Sequence, residues 1–434
     1  MLCSGYRDTQ QLRIQNETQS VVRKALKIEP QSLPLSLDVQ AREAFFAHYV
    51  KGDSRCWEFL ERYYHPKDCP DHLTLAIEAV SLAYLWHQVY SNAALAAARE
   101  RYILALRMIN GALKSPKEAT KDNTLLASLL LDLFEKITDS KPRNNISWRS
   151  HVNGALALVR LRGKDQFHGG SESRVPQRVI QYYITSCLTS GSLVPEELIA
   201  IQDYARKHDA SSRLLDLMVQ YTNLCSKTQR GVLSYDECIV AFLELDGNLQ
   251  ALDHDSPPSW QYSTTTLDRK SERVLELHWD SYPHRNMCQA WNFLRLMRIL
   301  LNESLIEYYS ASHFSDQIEV ANKNIRMLVR EICACVPQYM DCDGAARQRL
   351  PASGAGHPHT PDNQADCYSL IFPLYAAGRS AEPHIRCWVI KQLHYIGSHF
   401  YIQKAEVVAE ILEHKIDVGF WEVYAILGSY ALTA

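Results

Sequence analysis

The sequence predicts an all-α fold, and three observations carry that prediction. Apolar residues recur at three- and four-residue spacing through most of the 434-residue chain, the mark of helices with one buried face. Alternating apolar and polar runs are too few to support a sheet. The clearest unit, residues 121–167, reads as two helices joined by a short polar link. In the first, Leu125, Leu126, Leu129, Leu130, Leu133, Phe134 and Ile137 form a stripe, with Asp122 and Asn123 before it as candidate caps. Lys141-Pro142 and Asn144-Asn145 break the pattern as connections do. In the second, Trp148, Val152, Ala155, Leu156 and Val159 share a face. Ser147 is placed to cap this helix, and Gly163 to end it after the cationic turn of Arg160 and Arg162. Trp148 reads as a core anchor, and His151, one position off the stripe, as a half-buried or surface histidine.

In chain order, residues 1–34 are an N-terminal segment whose cations, Arg13, Arg23, Lys24 and Lys27, read as a solvated linker. Pro30 and Pro34 mark the boundary of one large helical domain, residues 35–434. Asp38 is placed to cap a helix with Ala41, Ala44, Phe45, His48 and Tyr49 on its apolar side, ended by Gly52. The next starts at Asp53 or Ser54, carries Trp57, Leu60 and Tyr64, and is broken by Pro66 and Pro70. Helices follow over 71–89, with Leu75, Ala76, Ala79, Val80, Ala83 and Trp86, and over 92–113, with Tyr102, Leu106 and Ile109. Beyond the central pair, His168 to Ser171 is a loop, helices start near Ser173 and Pro195, and the pattern continues over 214–224 and 235–249. Residues 254–266, with Pro257-Pro258, are the clearest internal break. A long helix is expected over 267–309, interrupted near Pro283, then another over 316–335. Residues 341–365, rich in Gly, Pro, Asp and Ala, read as a mobile loop, and the helices of 370–413 close the domain. No fixed-period repeat runs through the chain, so a repeat array is not expected.

Composition narrows the function classes. The chain is 46% hydrophobic and 22% charged, with a net charge of −3, which leaves no overall electrostatic footprint for nucleic acid. No stretch offers about twenty uninterrupted apolar residues, so no membrane partner is expected, and the N-terminus has no secretory pattern. Twelve singly scattered cysteines fit a reducing nuclear or cytosolic interior better than a disulfide framework.

The residue types that carry chemistry do not converge. Cys333 and Cys335 are two apart, so on a helix they point away from each other, and Cys342 brings no second pair at finger spacing; they read as structural cysteines. His357 and His359 lie in the predicted loop near Asp362 and Asp366, a weak metal signal. His394 and His399, five apart, do not share a helix face closely. Gly378-Arg379-Ser380 reads as a helix-to-helix turn. No phosphate loop, His-Glu-x-x-His or Gly-x-Ser-x-Gly motif is present. The expectation is a non-enzyme with no catalytic, cofactor-binding or metal residues and no cofactor.

Three stretches carry a resemblance to a known family. The leucine-rich helix followed by Ser147-Trp148-x-x-His151 and then Gly154-Ala155-x-Ala157-Leu158-x-Arg160-x-Arg162-Gly163 looks like the regulatory domain of fungal binuclear zinc cluster transcription factors. LYAAGRS (374–380) and the helices behind it look like the closing part of that domain. Residues 3–25 resemble the exit of the zinc cluster and its linker, with Cys3 in the sixth ligand position. Six thiolates hold the two zinc ions of such a cluster, so Cys3 alone is not expected to bind metal. The resemblance implies a nuclear transcriptional regulator of a metabolic pathway, such as a secondary-metabolite gene cluster, acting through its helical domain. It implies partners in the transcription machinery or a homo- or heterodimer partner, and DNA contact only where a zinc cluster lies upstream or is supplied by the partner. The alternative is a helical scaffold or regulator that works by heterodimerisation or other protein contacts, without DNA.

Overall fold

The computed structural model describes residues 35–51, 57–65, 70–89, 91–138, 146–163, 174–196, 198–199, 210–312, 315–340 and 361–427. Residues 1–34, with Cys3 and the linker cations, lie outside them, as do Gly52, Cys342, His357, His359 and the side chains of Trp148, His151 and Val152. The fold is all-α, packed from helices around two apolar cores, one toward each end of the chain.

The N-terminal core starts with α1 (Leu37–Tyr49), which buries Ala41, Phe45, Phe46 and Tyr49. Its N-cap position is Ser36, so Asp38 sits in the first turn rather than before it. There a carboxylate still complements the helix dipole. The expected second helix is a single 3₁₀ segment, Glu58–Arg62, carrying buried Phe59 and Leu60. Helix α2 (His72–Val89) is the centre of this half and is buried almost all round along its first three turns. Asp71 caps it, its Oδ1 accepting from the Thr74 N–H at 2.8 Å and from the Thr74 hydroxyl at 2.9 Å. Helix α3 (Asn92–Ala112) is capped by Ser91 and turns Ala94, Ala98 and Ala105 inward, small side chains that let its axis approach α2 closely. A short α4 (Pro116–Ala119) leads into α5 (Asp122–Thr138).

Every residue of the leucine stripe on α5 is buried. Helix α6 (Ile146–Arg162) buries Ala155, Leu156, Leu158 and Val159 and ends at Gly163, whose φ of +76° supplies the left-handed step expected of it. Asp122 and Ser147 prove to be inside their helices, so neither is an N-cap. Arg162 in the last turn of α6 instead reaches back 2.6 Å to Asp122 in the first turn of α5, placing each charge on the helix end whose dipole it complements.

Helices α6 and α7 (Arg174–Thr189) form the seam between the cores. Leu156 faces the C-terminal core while Leu158 and Val159 face the N-terminal one. On α7, Tyr182 packs in the N-terminal core, and Ile180, Ile184 and Leu188 in the other.

The C-terminal core contains α8 (Ala210–Gln229), α9 (Tyr235–His254), α10 (Arg285–Ser312), α11 (Ser315–Ala334), α12 (Val336–Met340), α13 (Pro361–Ser380), α14 (Pro383–His399), α15 (Gln403–Glu413) and α16 (Phe420–Ile426). A capping box at Ser234 and Glu237 starts α9. Two expectations fail between α9 and α10. Residues 267–281 are not helical, and a two-stranded antiparallel sheet is present, β1 (Ser263–Thr266) pairing with β2 (His278–Ser281) in the register Thr264 to Asp280. The run of β-branched threonines favours an extended backbone, and Asp280 accepts from the Thr264 hydroxyl at 2.6 Å. Residues 361–365, expected in the loop, begin α13, and Gly378-Arg379-Ser380 is its last turn rather than a connection. Gly378 packs where a Cβ would stand 2.7 Å from Leu412 and 3.0 Å from Val389, so its lack of a side chain seats α13 against α14 and α15.

Candidate functional site

Helix α10 threads charge through the C-terminal core. Arg298 donates to both oxygens of Asp246 on α9, at 2.9 and 3.4 Å, and Asn302, one turn on, donates to Asp246 Oδ1 at 3.3 Å. Asn324 on α11 closes the chain by donating to Asn302 Oδ1 at 3.0 Å. One turn earlier, Arg295, 1% exposed, donates to Glu331 at 3.1 Å, to the Tyr282 hydroxyl at 2.8 Å and to Asn292 Oδ1 at 3.3 Å. The rings of Tyr262, Trp291 and Tyr282 stand 5.6 to 5.8 Å from its guanidinium carbon. Arg285, at the start of the helix, pairs with Asp366 of α13 at 3.1 Å. A buried guanidinium is tolerable only when its donors find carboxylates and hydroxyls. The spine therefore clamps α9, α11 and α13 onto α10. Burial pushes the Tyr282 hydroxyl far above its ordinary range.

An open cleft of about 420 Å³ lies at the far end of the same helix. Tyr221, Cys225, Glu303, Arg379, Phe420 and Trp421 are among its walls. Glu303 accepts from Arg379 at 3.0 Å and from the Ser380 hydroxyl at 2.6 Å, and Arg379 lies over the Phe420 ring at 5.6 Å. Burial pushes both the Tyr221 hydroxyl and the Cys225 thiol up, so both stay protonated near neutrality. An aromatic-walled cleft with paired charges has the make-up of a place that holds a molecule or a peptide segment.

The residues weighed from sequence stay apart. His394 turns to Glu406 at 2.5 Å and Glu413 at 3.8 Å, while His399 stacks on Tyr395 at 4.5 Å. Cys333 and Cys335 are both fully buried. Among the described residues no three His, Cys, Asp or Glu side chains gather as a metal site. Among them, too, no helix is long and apolar enough to cross a membrane. Sequence reasoning missed the spine of α10. The signal was there in Leu294-Arg295-Leu296-Met297-Arg298-Ile299-Leu300-Leu301, two arginines three apart inside an apolar run.

Comparison with known proteins places this geometry. Residues 58–414, which include most of both cores, match the family described as the fungal specific transcription factor domain. An uncharacterized protein of Emericella nidulans is 30% identical over 159 residues, 37% of this chain and 33% of its own length. The match thus spans about a third of that relative. No solved structure matches the chain.

Proposed function

The chain belongs to the fungal specific transcription factor domain family, and on that premise we propose that it regulates transcription in the nucleus through its helical body. The observation that carries the reading is the extent of the match, which takes in α2 at the centre of one core and α10 at the centre of the other. The family's role is regulatory, and a cleft walled by aromatic rings and paired charge suits a body that binds and transmits. The pathway we propose is metabolic, of the kind encoded by a secondary-metabolite gene cluster. The partners are components of the transcription machinery or a second regulator of the same family. Sequence-specific DNA contact requires side chains held against base edges, and in this reading a zinc cluster, upstream or on a dimer partner, supplies them.

The test is to fuse the chain to an unrelated DNA-binding module and measure a reporter carrying that module's site. A rise or fall in reporter output relative to the module alone supports the proposal. An unchanged output from a folded, nuclear fusion contradicts it.

A second reading, a scaffold that works through protein contacts alone, is favoured by the outer face of α9. There Val240 is 62% and Leu243 50% exposed, one helical turn apart. On that reading the fusion is silent, and the chain instead changes the output of a co-expressed family member.

A further inference from the structure

Cys288 and Cys335 are 47 positions apart in sequence and meet in space. Cys288 lies in the first turn of α10, and Cys335 stands at the break between α11 and α12. One amide nitrogen, Asn292 Nδ2, is 3.4 Å from the Cys288 sulfur and 3.3 Å from the Cys335 sulfur. The two thiols also lie close enough to act on each other electrostatically. We propose that this pair is a modification site, which a peroxide converts to a disulfide tying the start of α10 to the end of α11.

The two sulfurs are not equivalent. The neighbouring Cys288, the Asn292 amide and the nearby Arg295 guanidinium pull the Cys335 thiol below its ordinary range despite burial, while that thiol donates to the Ile332 carbonyl at 3.0 Å. Cys333, two residues earlier and equally buried, is pushed up by desolvation, as is Cys288. The chemistry is the same whichever sulfur reacts first, and Cys335 stands for the one that attacks, since a thiolate is the nucleophile. Its sulfur takes one oxygen of hydrogen peroxide and the O–O bond breaks. The departing oxygen takes the thiol proton as water, leaving a sulfenic acid on Cys335. The Cys288 sulfur then attacks that sulfur, the S–O bond breaks, and a second water leaves with the Cys288 proton. Two thiols are oxidised by two electrons in all, and one peroxide is reduced to two waters.

Access is the physical obstacle, because Cys288 is 2% and Cys335 0% exposed. Both lie at helix ends, and a local opening there is the route by which a peroxide reaches them. Tyr339, whose buried hydroxyl makes no hydrogen bond that meets ordinary geometry, lies beside Cys288 and offers a polar contact to a water-sized oxidant.

The experiment treats the reduced full-length chain with hydrogen peroxide under native conditions, blocks remaining thiols with N-ethylmaleimide, and maps peptides by mass spectrometry without reduction. The expected product is a cross-linked peptide pair joining Cys288 to Cys335, lighter by two hydrogens and released by dithiothreitol. Cys335→Ser abolishes it, while Cys387→Ser, at an exposed thiol away from the pair, leaves its yield unchanged. Recovery of both cysteines as maleimide adducts, at doses that oxidise Cys387, overturns the proposal. So does a cross-link that forms only in urea. Both of these readouts come from the unaltered chain and do not depend on a variant folding.

Discussion

Where the N-terminal core is closed by the leucines of α5 and the alanines of α3, the C-terminal core encloses Arg285, Arg295, Arg298, Asp246, Asn292 and Asn302. Two buried hydroxyls of α5 in the first half find acceptors close in sequence. Ser128 donates to the Thr124 carbonyl one turn back at 2.9 Å, and Thr124 to the Glu118 carbonyl at 2.8 Å. Buried groups of the second half are answered from other helices, Arg298 by Asp246 and Arg295 by Glu331. The difference teaches how each half tolerates change. A core of interchangeable apolar volume loses stability in proportion to what is removed. A core threaded by paired charge fails when one partner is orphaned, yet can accept removal of both.

The largest effect that would sharpen this contrast is at the spine. Arg298→Ala leaves the Asp246 carboxylate buried without its cation and should cost about 3–5 kcal/mol, read as a shift in the urea midpoint. In the N-terminal core, Leu129→Ala, at a fully buried stripe position, should cost about 2–5 kcal/mol by transfer and cavity terms. Leu129→Met, which conserves volume, should cost less than about 1.5 kcal/mol. A conservative replacement at the spine should find no such refuge, because lysine at position 298 cannot make the two-pronged contact. Equal tolerance of Leu129→Met and Arg298→Lys would break the comparison.

These same residues show what the sequence could disclose. Periodicity reports that a position is buried, so the stripe of α5, the end of α6 at Gly163 and the helical class were all legible. Periodicity says nothing about a partner fifty residues away, and the spine is made of such partners. Asp38, Asp122 and Ser147 were each misplaced by one or two positions, since a polar residue near a helix start looks the same whether it caps the helix or complements its dipole. The β1–β2 pair was hidden because four residues against four give too short an alternation to stand out beside helical stripes. Of the cleft, Gly378-Arg379-Ser380 reads in the sequence as a turn, while the pairing of Arg379 with Glu303 depends on a helix seventy-six residues earlier.

His87, in the last turn of α2, titrates. Burial, with Lys404 of α15 nearby, pushes the His87 imidazole down to about 4. In the unfolded chain His87 takes a proton near its ordinary value of about 6.5. Between about pH 6.5 and 4 only the unfolded chain binds that proton, so stability falls across this window, by about 3 kcal/mol at its lower end, and is flat above it. The difference in unfolding free energy between the native chain and His87→Gln, followed from pH 7 to 4, should carry that slope. A difference independent of pH would show that His87 is solvated.

The smallest effect is at the ends of the central pair. Arg162→Ala removes a partly exposed contact to Asp122 and should cost about 1 kcal/mol or less, shrinking further in added salt. A loss as large as that of Arg298→Ala would erase the distinction between the two halves.

The central claim, that a paired buried charge couples α9 to α10 inside the apolar C-terminal core, is tested most directly by a double-mutant cycle on Asp246 and Arg298. Each single alanine variant and the double variant are unfolded in urea. The account predicts strong coupling, with the double variant about as stable as either single one, because the second substitution removes a group already orphaned by the first. Losses that add to within about 0.5 kcal/mol would contradict it.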